Sequence, residues 1–314
     1  MRISLQAESS ILNPGRAGHD TRQATTSTVR GGQVDGSHAV GEAYEGGSGS
    51  TLVLLHGLGG TWHIWKPVLP LLEKRHRVIA PTLPGHPGGP PIPDGVSPTV
   101  DVLADLLIAD LKARGIERAH VAGNSLGGWL SLELARRGFA QSVTALSPAG
   151  GWQTQEDYQA IAKSFRIVFA LLPLLIFLFS LLLYFGFMRR ALNKQGMERG
   201  DRVPPDESRR AMRSMRDTTM LPSLLDNMGK VGGIKPFKAN PPLVRIAWCE
   251  HDKVIPYRRY GAALTSVVQG AEALTVTGCG HVPMYDDPEQ VSAVIVATTT
   301  RADGVVSAVS GVVS

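Results

Sequence analysis

Two cysteines in 314 residues, Cys249 and Cys279, are too few for a disulfide framework, and neither stands at metal-ligand spacing from a histidine pair. Reduced thiols and a cytoplasmic setting are therefore expected. The first twenty residues, MRISLQAESSILNPGRAGHD, hold no apolar run of signal-peptide length, which predicts no secretion by that route. A large excess of one charge is also missing. Lys and Arg total 32 against 27 Asp and Glu, and a net +5 is too small to argue for a nucleic-acid partner. There is no internal repeat, and Asp94, Asp101 and Asp105 fit no metal-binding loop. Neither a metal nor a cofactor is implied.

With 43% apolar residues, the chain is rich enough in them to exclude overall disorder, and its length fits one large domain or a domain carrying an insertion. Charge and aromatics are unevenly spread. Residues 189–216 contain nine Lys or Arg and four Asp or Glu, which by themselves make +5. Six of the eight Phe lie between Phe165 and Phe187. One stretch of chain thus carries most of what is unusual in the composition.

Residues 1–25 are polar and aperiodic and read as a mobile leader. Two weak strands are expected over 29–44, around Gly-Gly and Asp-Gly turn signals. Residues 51–56 (TLVLLH) form a continuous apolar run, the pattern of a strand covered on both faces in a parallel sheet. Helix and strand then alternate: helix 62–74, strand 77–80, helix 100–114, strand 119–122, helix 126–137, strand 143–146. After a break over about 151–237 the rhythm resumes with strand 243–249, helix 257–268, strand 273–276 and a closing helix 288–298. Such alternation predicts a doubly wound parallel sheet, and the break reads as an insertion.

The strongest chemical signal is Gly123-Asn-Ser125-Leu-Gly127, between a predicted strand and a predicted helix. A nucleophile elbow needs small residues at both glycine positions, because the turn is tight and lifts the Ser hydroxyl to the helix N-terminus. Asp252 follows the strand 243–249, and His281 follows the strand ending at Val276. Both then lie beyond carboxyl ends of strands, where an open parallel sheet places its site. A histidine there can take the proton of Ser125, and a carboxylate can fix its tautomer. Asp286 or Asp287 could replace Asp252 as the acid. Two backbone amides should hold a developing oxyanion: Leu126, after the nucleophile, and Leu58, in the loop after residues 51–56. His56 should brace that loop. Trp62, Trp65, Trp129 and Trp152 either line a pocket or pack in the core, and Cys249 and Cys279 should be buried, unpaired thiols.

The set His56-Gly57-Leu58-Gly59-Gly60, Gly123-Asn-Ser125-Leu-Gly-Gly128, Asp252 and Gly280-His281 resembles the α/β-hydrolase superfamily over about residues 27–150 and 237–299. The resemblance implies an α/β fold with a mostly parallel eight-stranded sheet, helices on both faces and a helical cap inserted after the sixth strand. It implies Ser125 as nucleophile, His281 as general base and then acid, and Asp252 as orienting acid. Thr82, in Ile79-Ala-Pro-Thr82-Leu-Pro-Gly-His86, stands where many relatives have Asp. Dehalogenases and epoxide hydrolases of this fold use Asp at the elbow, so Ser125 argues against both. Esterases, lipases, thioesterases, C–C bond hydrolases and cofactor-free haloperoxidases remain. The expected organisation is a leader 1–25, a core of 26–150 and 237–300, a cap over 151–236, and a tail 301–314.

Within the cap, residues 167–188 (IVFALLPLLIFLFSLLLYFGFM) contain no charge, and as one helix would be long enough to cross a bilayer, at about 1.5 Å per residue. One crossing would place Ser125 and its two partners on opposite sides of the membrane. A buried cap helix, a dimer interface or a cap lying in the membrane surface remain, with Pro173 and Gly186 predicting a break. The expected activity is a serine hydrolase cleaving an ester-type bond of a small hydrophobic or lipid-like substrate, with peripheral membrane contact through 167–216. A C–C bond hydrolase and a non-catalytic lipid-binding protein stand beside it.

Overall fold

The computed structural model describes residues 41–179, 182–237 and 242–310. Seven strands form one sheet: β1 (Ala43–Gly47), β2 (Ser50–Leu55), β3 (His76–Pro81), β4 (Ala119–Asn124), β5 (Ala140–Leu146), β6 (Leu243–Cys249) and β7 (Glu272–Val276). Their order is β1-β3-β2-β4-β5-β6-β7, with β1 antiparallel to β3 and every other pair parallel. Seven of the eight expected strands lie among the described residues. The leader 1–25 and the strand expected before residue 41 lie outside them.

Nine helices accompany the strands among these residues: α1 (Leu69–Leu72), α2 (Val100–Ala113), α3 (Leu126–Arg136), α4 (Gln155–Phe179), α5 (Gly186–Asn193), α6 (Pro205–Asp217), α7 (Leu221–Val231), α8 (Tyr257–Val267) and α9 (Pro288–Ser310). Strand side chains alternate between the two faces, as a period of two requires. Val53 and Leu55 of β2 pack with α2, α3 and α8 on one face, while Leu52 and Leu54 pack with α1 and α9 on the other. All four are fully buried, which is why this strand is apolar at consecutive positions.

Two expectations need correction. Residues 62–74 do not form one helix: a 3-10 turn over Trp62–Trp65 is followed by the single turn α1. Pro67, lacking a donor, interrupts the run, and Pro70 sits at the start of α1, where its missing N–H costs nothing. The tail expected from residue 301 is instead part of α9, which runs to Ser310. The segment 167–188 is broken, as expected, but not at Pro173. Helix α4 passes through Pro173 and ends at Phe179, a 3-10 turn follows at Leu182–Tyr184, and α5 begins at Gly186.

Helices α4 to α7 occupy the connection between β5 and β6, which pair directly from Ser142↔Leu243 to Leu146↔Ala247. Five described strands precede this insertion and two follow it. The insertion leaves the sheet at the carboxyl end of β5, beside the carboxyl ends of β4, β6 and β7 from which the site is built.

Candidate active site

Ser125 links β4 to α3 with φ 58° and ψ −116°, a backbone conformation that costs a non-glycine residue on the order of 1–3 kcal/mol. Its surroundings leave no room for side chains. A Cβ on Gly123 would lie 2.1 Å from the Gly127 carbonyl oxygen, and one on Gly127 would lie 2.1 Å from that of Leu55. The two elbow glycines are therefore a requirement of close backbone approach. The turn puts Ser125 at the N-terminus of α3, where the unpaired first amides favour negative charge.

Asp252 and His281 meet at the ends of β6 and β7. His281 Nδ1 lies 2.7 Å from Asp252 Oδ2, and both side chains are almost wholly buried. The second carboxylate oxygen, Oδ1, accepts the amides of Val254 at 2.9 Å and Ile255 at 2.7 Å, so the carboxylate is held from both sides. A carboxylate accepts at Nδ1, which gives that nitrogen the proton and leaves Nε2 as the basic lone pair. Asn124, next to the serine, donates from Nδ2 to the backbone carbonyl of His281 at 2.8 Å and to that of Leu146 at 3.2 Å. Ser125 and His281 line one cavity, and among the described residues none hydrogen-bonds the Ser125 hydroxyl.

Asp286 does not take the place of Asp252. Its carboxylate accepts the amides of Gly280 (2.8 Å), Glu198 (3.0 Å) and Arg199 (2.6 Å), and its carbonyl accepts Arg202 Nη1 at 2.6 Å. It joins the loop of His281 to the insertion. The Val282 amide reinforces this by donating to the Gly196 carbonyl at 2.8 Å.

Leu58 lines the same cavity as Ser125, and Leu126 follows the serine as the first residue of α3. The loop bearing Leu58 is held by two buried histidines. The Leu83 amide donates to His56 Nε2 at 2.9 Å, so His56 Nδ1 carries the proton and donates to the Gly57 carbonyl at 2.7 Å. His86 repeats the arrangement: Nε2 accepts the Gly59 amide at 3.1 Å, and Nδ1 donates to the Pro84 carbonyl at 3.2 Å. The rings meet edge to face, 4.9 Å apart. Burial holds His56 well below the ordinary histidine value, with His86 adding to it, and burial lowers His86 to about 4. Both are neutral at pH 7, and both brace the loop. Thr82 is buried, and its hydroxyl has no partner among the described residues.

A cavity of about 290 Å³ opens onto Ser125 and His281. Its walls are mainly apolar, with Leu58 and Ile64 from the core and Phe165, Leu192, Met197 and Met215 from the insertion. One end is polar. There Glu207 pairs with Lys66 and with Arg210 (3.5 Å), and the buried Ser208 hydroxyl has no partner among the described residues. His63, at the same end, is lowered to about 4 by burial first and Arg210 second.

None of the four expected tryptophans is among the lining residues. Trp65 and Trp129 are core, and Trp129 meets Trp152 edge to face at 5.1 Å. Trp62 stacks on His63 at 3.9 Å. Cys249 and Cys279 are buried and unpaired, and burial raises both thiols, Cys279 to about 12. Sequence reasoning missed Asn124, His86 and the polar end of the cavity, and named Asp286 only as a substitute acid. Only Asn124 had a signal, its place inside the elbow motif.

A family model described as the Alpha/beta hydrolase family matches residues 52–294. The epoxide hydrolase EphH of Mycobacterium tuberculosis is 32% identical over 200 residues, 62% of this chain and 92% of that protein. The 2-hydroxymuconate semialdehyde hydrolase of a Pseudomonas species is 38% identical over 97 residues, 30% of this chain and 34% of that one. Among solved structures, a thermophilic esterase from Thermogutta terrifontis superposes with a TM-score of 0.64 at 19% identity, covering 83% of this chain and 93% of that one.

Proposed function

The chain belongs to the alpha/beta hydrolase family, and we propose that it is a serine hydrolase that cleaves an ester-type bond in a largely apolar substrate. The observation that carries this reading is the linked set of Ser125 on the strained elbow and His281 held at 2.7 Å by Asp252, opening onto one apolar cavity. His281 Nε2 takes the Ser125 proton as Oγ attacks the substrate carbonyl. The Leu58 and Leu126 amides receive the oxyanion, and the imidazolium then protonates the leaving alkoxide. Water activated by the same nitrogen releases the acyl group.

The elbow residue speaks against epoxide opening, the reaction named for the Mycobacterium tuberculosis relative. Attack by Ser125 on an epoxide carbon would leave an ether, which water activated by His281 does not cleave. Acyl transfer leaves an ester, which it does. The cavity suits a small apolar group carrying one oxygen-rich substituent, since the Glu207, Ser208 and Arg210 end offers both donors and an acceptor. No cofactor or metal enters these steps. With two unpaired thiols, the proposed location is the cytoplasm.

Labelling with a fluorophosphonate probe tests the assignment. Native protein should be labelled at Ser125 and Ser125→Ala should not. Absence of labelling, or equal labelling of the variant, overturns it and favours a non-catalytic lipid-binding protein. A second reading, C–C bond hydrolysis, has the resemblance to the 2-hydroxymuconate semialdehyde hydrolase in its favour. Turnover of vinylogous diketones without turnover of p-nitrophenyl esters would select it.

A further inference from the structure

Helix α4 buries Tyr158, Ile161 and Ala162 at its start, and Phe165 reaches the cavity. Beyond that point it leaves the protein largely uncovered. Ile167, Leu171, Leu174 and Phe177 are exposed, Phe177 at 82%. The segment that returns the chain continues the same character, with Phe185 and Phe187 exposed, Phe187 at 70%. A soluble surface seldom leaves so many large apolar side chains together in water.

The apolar face has a basic border. On α5 the exposed residues Phe187, Arg190, Ala191 and Lys194 follow helical spacing, so one stripe runs from aromatic to cationic. Arg209 lies over the exposed Tyr184 ring, 4.6 Å from its centroid, and bonds its hydroxyl at 2.9 Å. Among the described residues, Lys163, Lys194 and Arg213 take part in no ion pair. Aliphatic and aromatic side chains edged by cations are the composition of a segment lying at a bilayer interface.

Two other arrangements fit less well. A crossing of the membrane by α4 would part Ser125 from His281, which line one cavity, and the chain instead turns back through Leu182–Tyr184 to α5, whose Leu192 and Asn193 line that cavity too. A second copy of the chain, seated face to face, would set the net +5 of residues 189–216 against the same charge, whereas anionic headgroups would neutralise it.

We infer that the outer face of α4, the turn after it and α5 form a monotopic docking surface for an anionic bilayer. The apolar side chains enter the acyl-chain boundary, and Arg190, Lys194 and Arg213 lie among the headgroups. The helices that touch the lipid on their outer side wall the cavity on their inner side, through Phe165 and Leu192. The proposed docking surface and the cavity that Ser125 lines therefore share α4 and α5 as walls.

Flotation of the full chain with vesicles tests this surface independently of the catalytic assignment. Native protein and Ser125→Ala should float equally with equimolar phosphatidylcholine and phosphatidylglycerol, and about tenfold less with phosphatidylcholine alone. The combined change Leu171→Glu, Leu174→Glu and Phe177→Glu should weaken binding by at least about tenfold while leaving hydrolysis of p-nitrophenyl acetate unchanged. Arg190→Glu with Lys194→Glu, on an exposed stripe, should bring anionic vesicles down to the neutral level, and stands alone if the first variant does not fold. Failure of the native protein to float, or either variant floating as well as the native protein, overturns the inference. So does a native dimer that the α4 variant dissolves without any vesicle binding.

Discussion

Asn124 donates to the backbone carbonyl of His281 at 2.8 Å across 157 residues of chain. The residue before the proposed nucleophile thereby holds the residue proposed to activate it, and β4 and the loop after β7 become one rigid unit.

Replacing Asn124 by Ala should leave the buried carbonyls of His281 and Leu146 without this donor. The expected loss is about 1–3 kcal/mol in stability, with kcat falling more than KM rises. Urea denaturation beside esterase kinetics would measure both. A variant with native kinetics would show that the His281 loop is held by other contacts.

At Ser125 stability and activity should move in opposite directions. Ser125→Gly removes the hydroxyl and also the strain at φ 58°, ψ −116°. Activity should fall by about 10⁴-fold or more, while the midpoint of unfolding should rise, by about 1 kcal/mol in free energy. Ser125→Ala shares the first effect and gains less of the second, so comparing the two by calorimetry isolates the strain.

Asp252 has two tasks that substitution can separate. Asp252→Asn keeps an oxygen for the Val254 and Ile255 amides but favours the wrong tautomer of His281. Stability should be nearly native and kcat about 10⁴-fold lower. Asp252→Ala should lose both, with a further cost of about 1–2 kcal/mol for the two freed amides. Equal stability of the two variants would contradict this division.

The buried histidines predict a pH response of folding. His86 in the folded chain is lowered to about 4, below the value of about 6.5 it has when unfolded. The unfolded chain therefore takes up the proton first as pH falls. The stability contributed by the neutral ring is full above about pH 6.5, declines below it, and is spent near pH 4, on the order of 3 kcal/mol in all. His56 acts in the same direction. His86→Gln, which can still accept the Gly59 amide, should flatten the decline between these limits in urea titrations. An unchanged slope would remove His86 from the account.

The elbow was legible in the sequence because its chemistry is local: small residues around Ser125, a strand before it and a helix after. Asp252 and His281 were legible because each directly follows a strand of the parallel sheet. The role of Asp286, named only as a substitute acid, was not, since its partners are backbone amides at Gly280, Glu198 and Arg199, and an amide carries no residue identity. His86 was hidden for the same reason, being recognised only by the Gly59 amide and the Pro84 carbonyl. The break in the apolar segment was expected but its place was not settled. Helix α4 tolerates Pro173, which is exposed, and the chain turns ten residues later, before Gly186.

The pairing of β5 with β6 means that the whole insertion is a single closed loop on an otherwise continuous sheet. The entropy of closing such a loop grows only as the logarithm of its length, about 0.6 kcal/mol for each doubling. Adding or deleting helices between Leu146 and Leu243 therefore barely perturbs the register that brings Ser125, Asp252 and His281 together. The insertion can change in length at little entropic cost, provided it keeps the Glu198 and Arg199 amides that hold Asp286 beside the loop of His281.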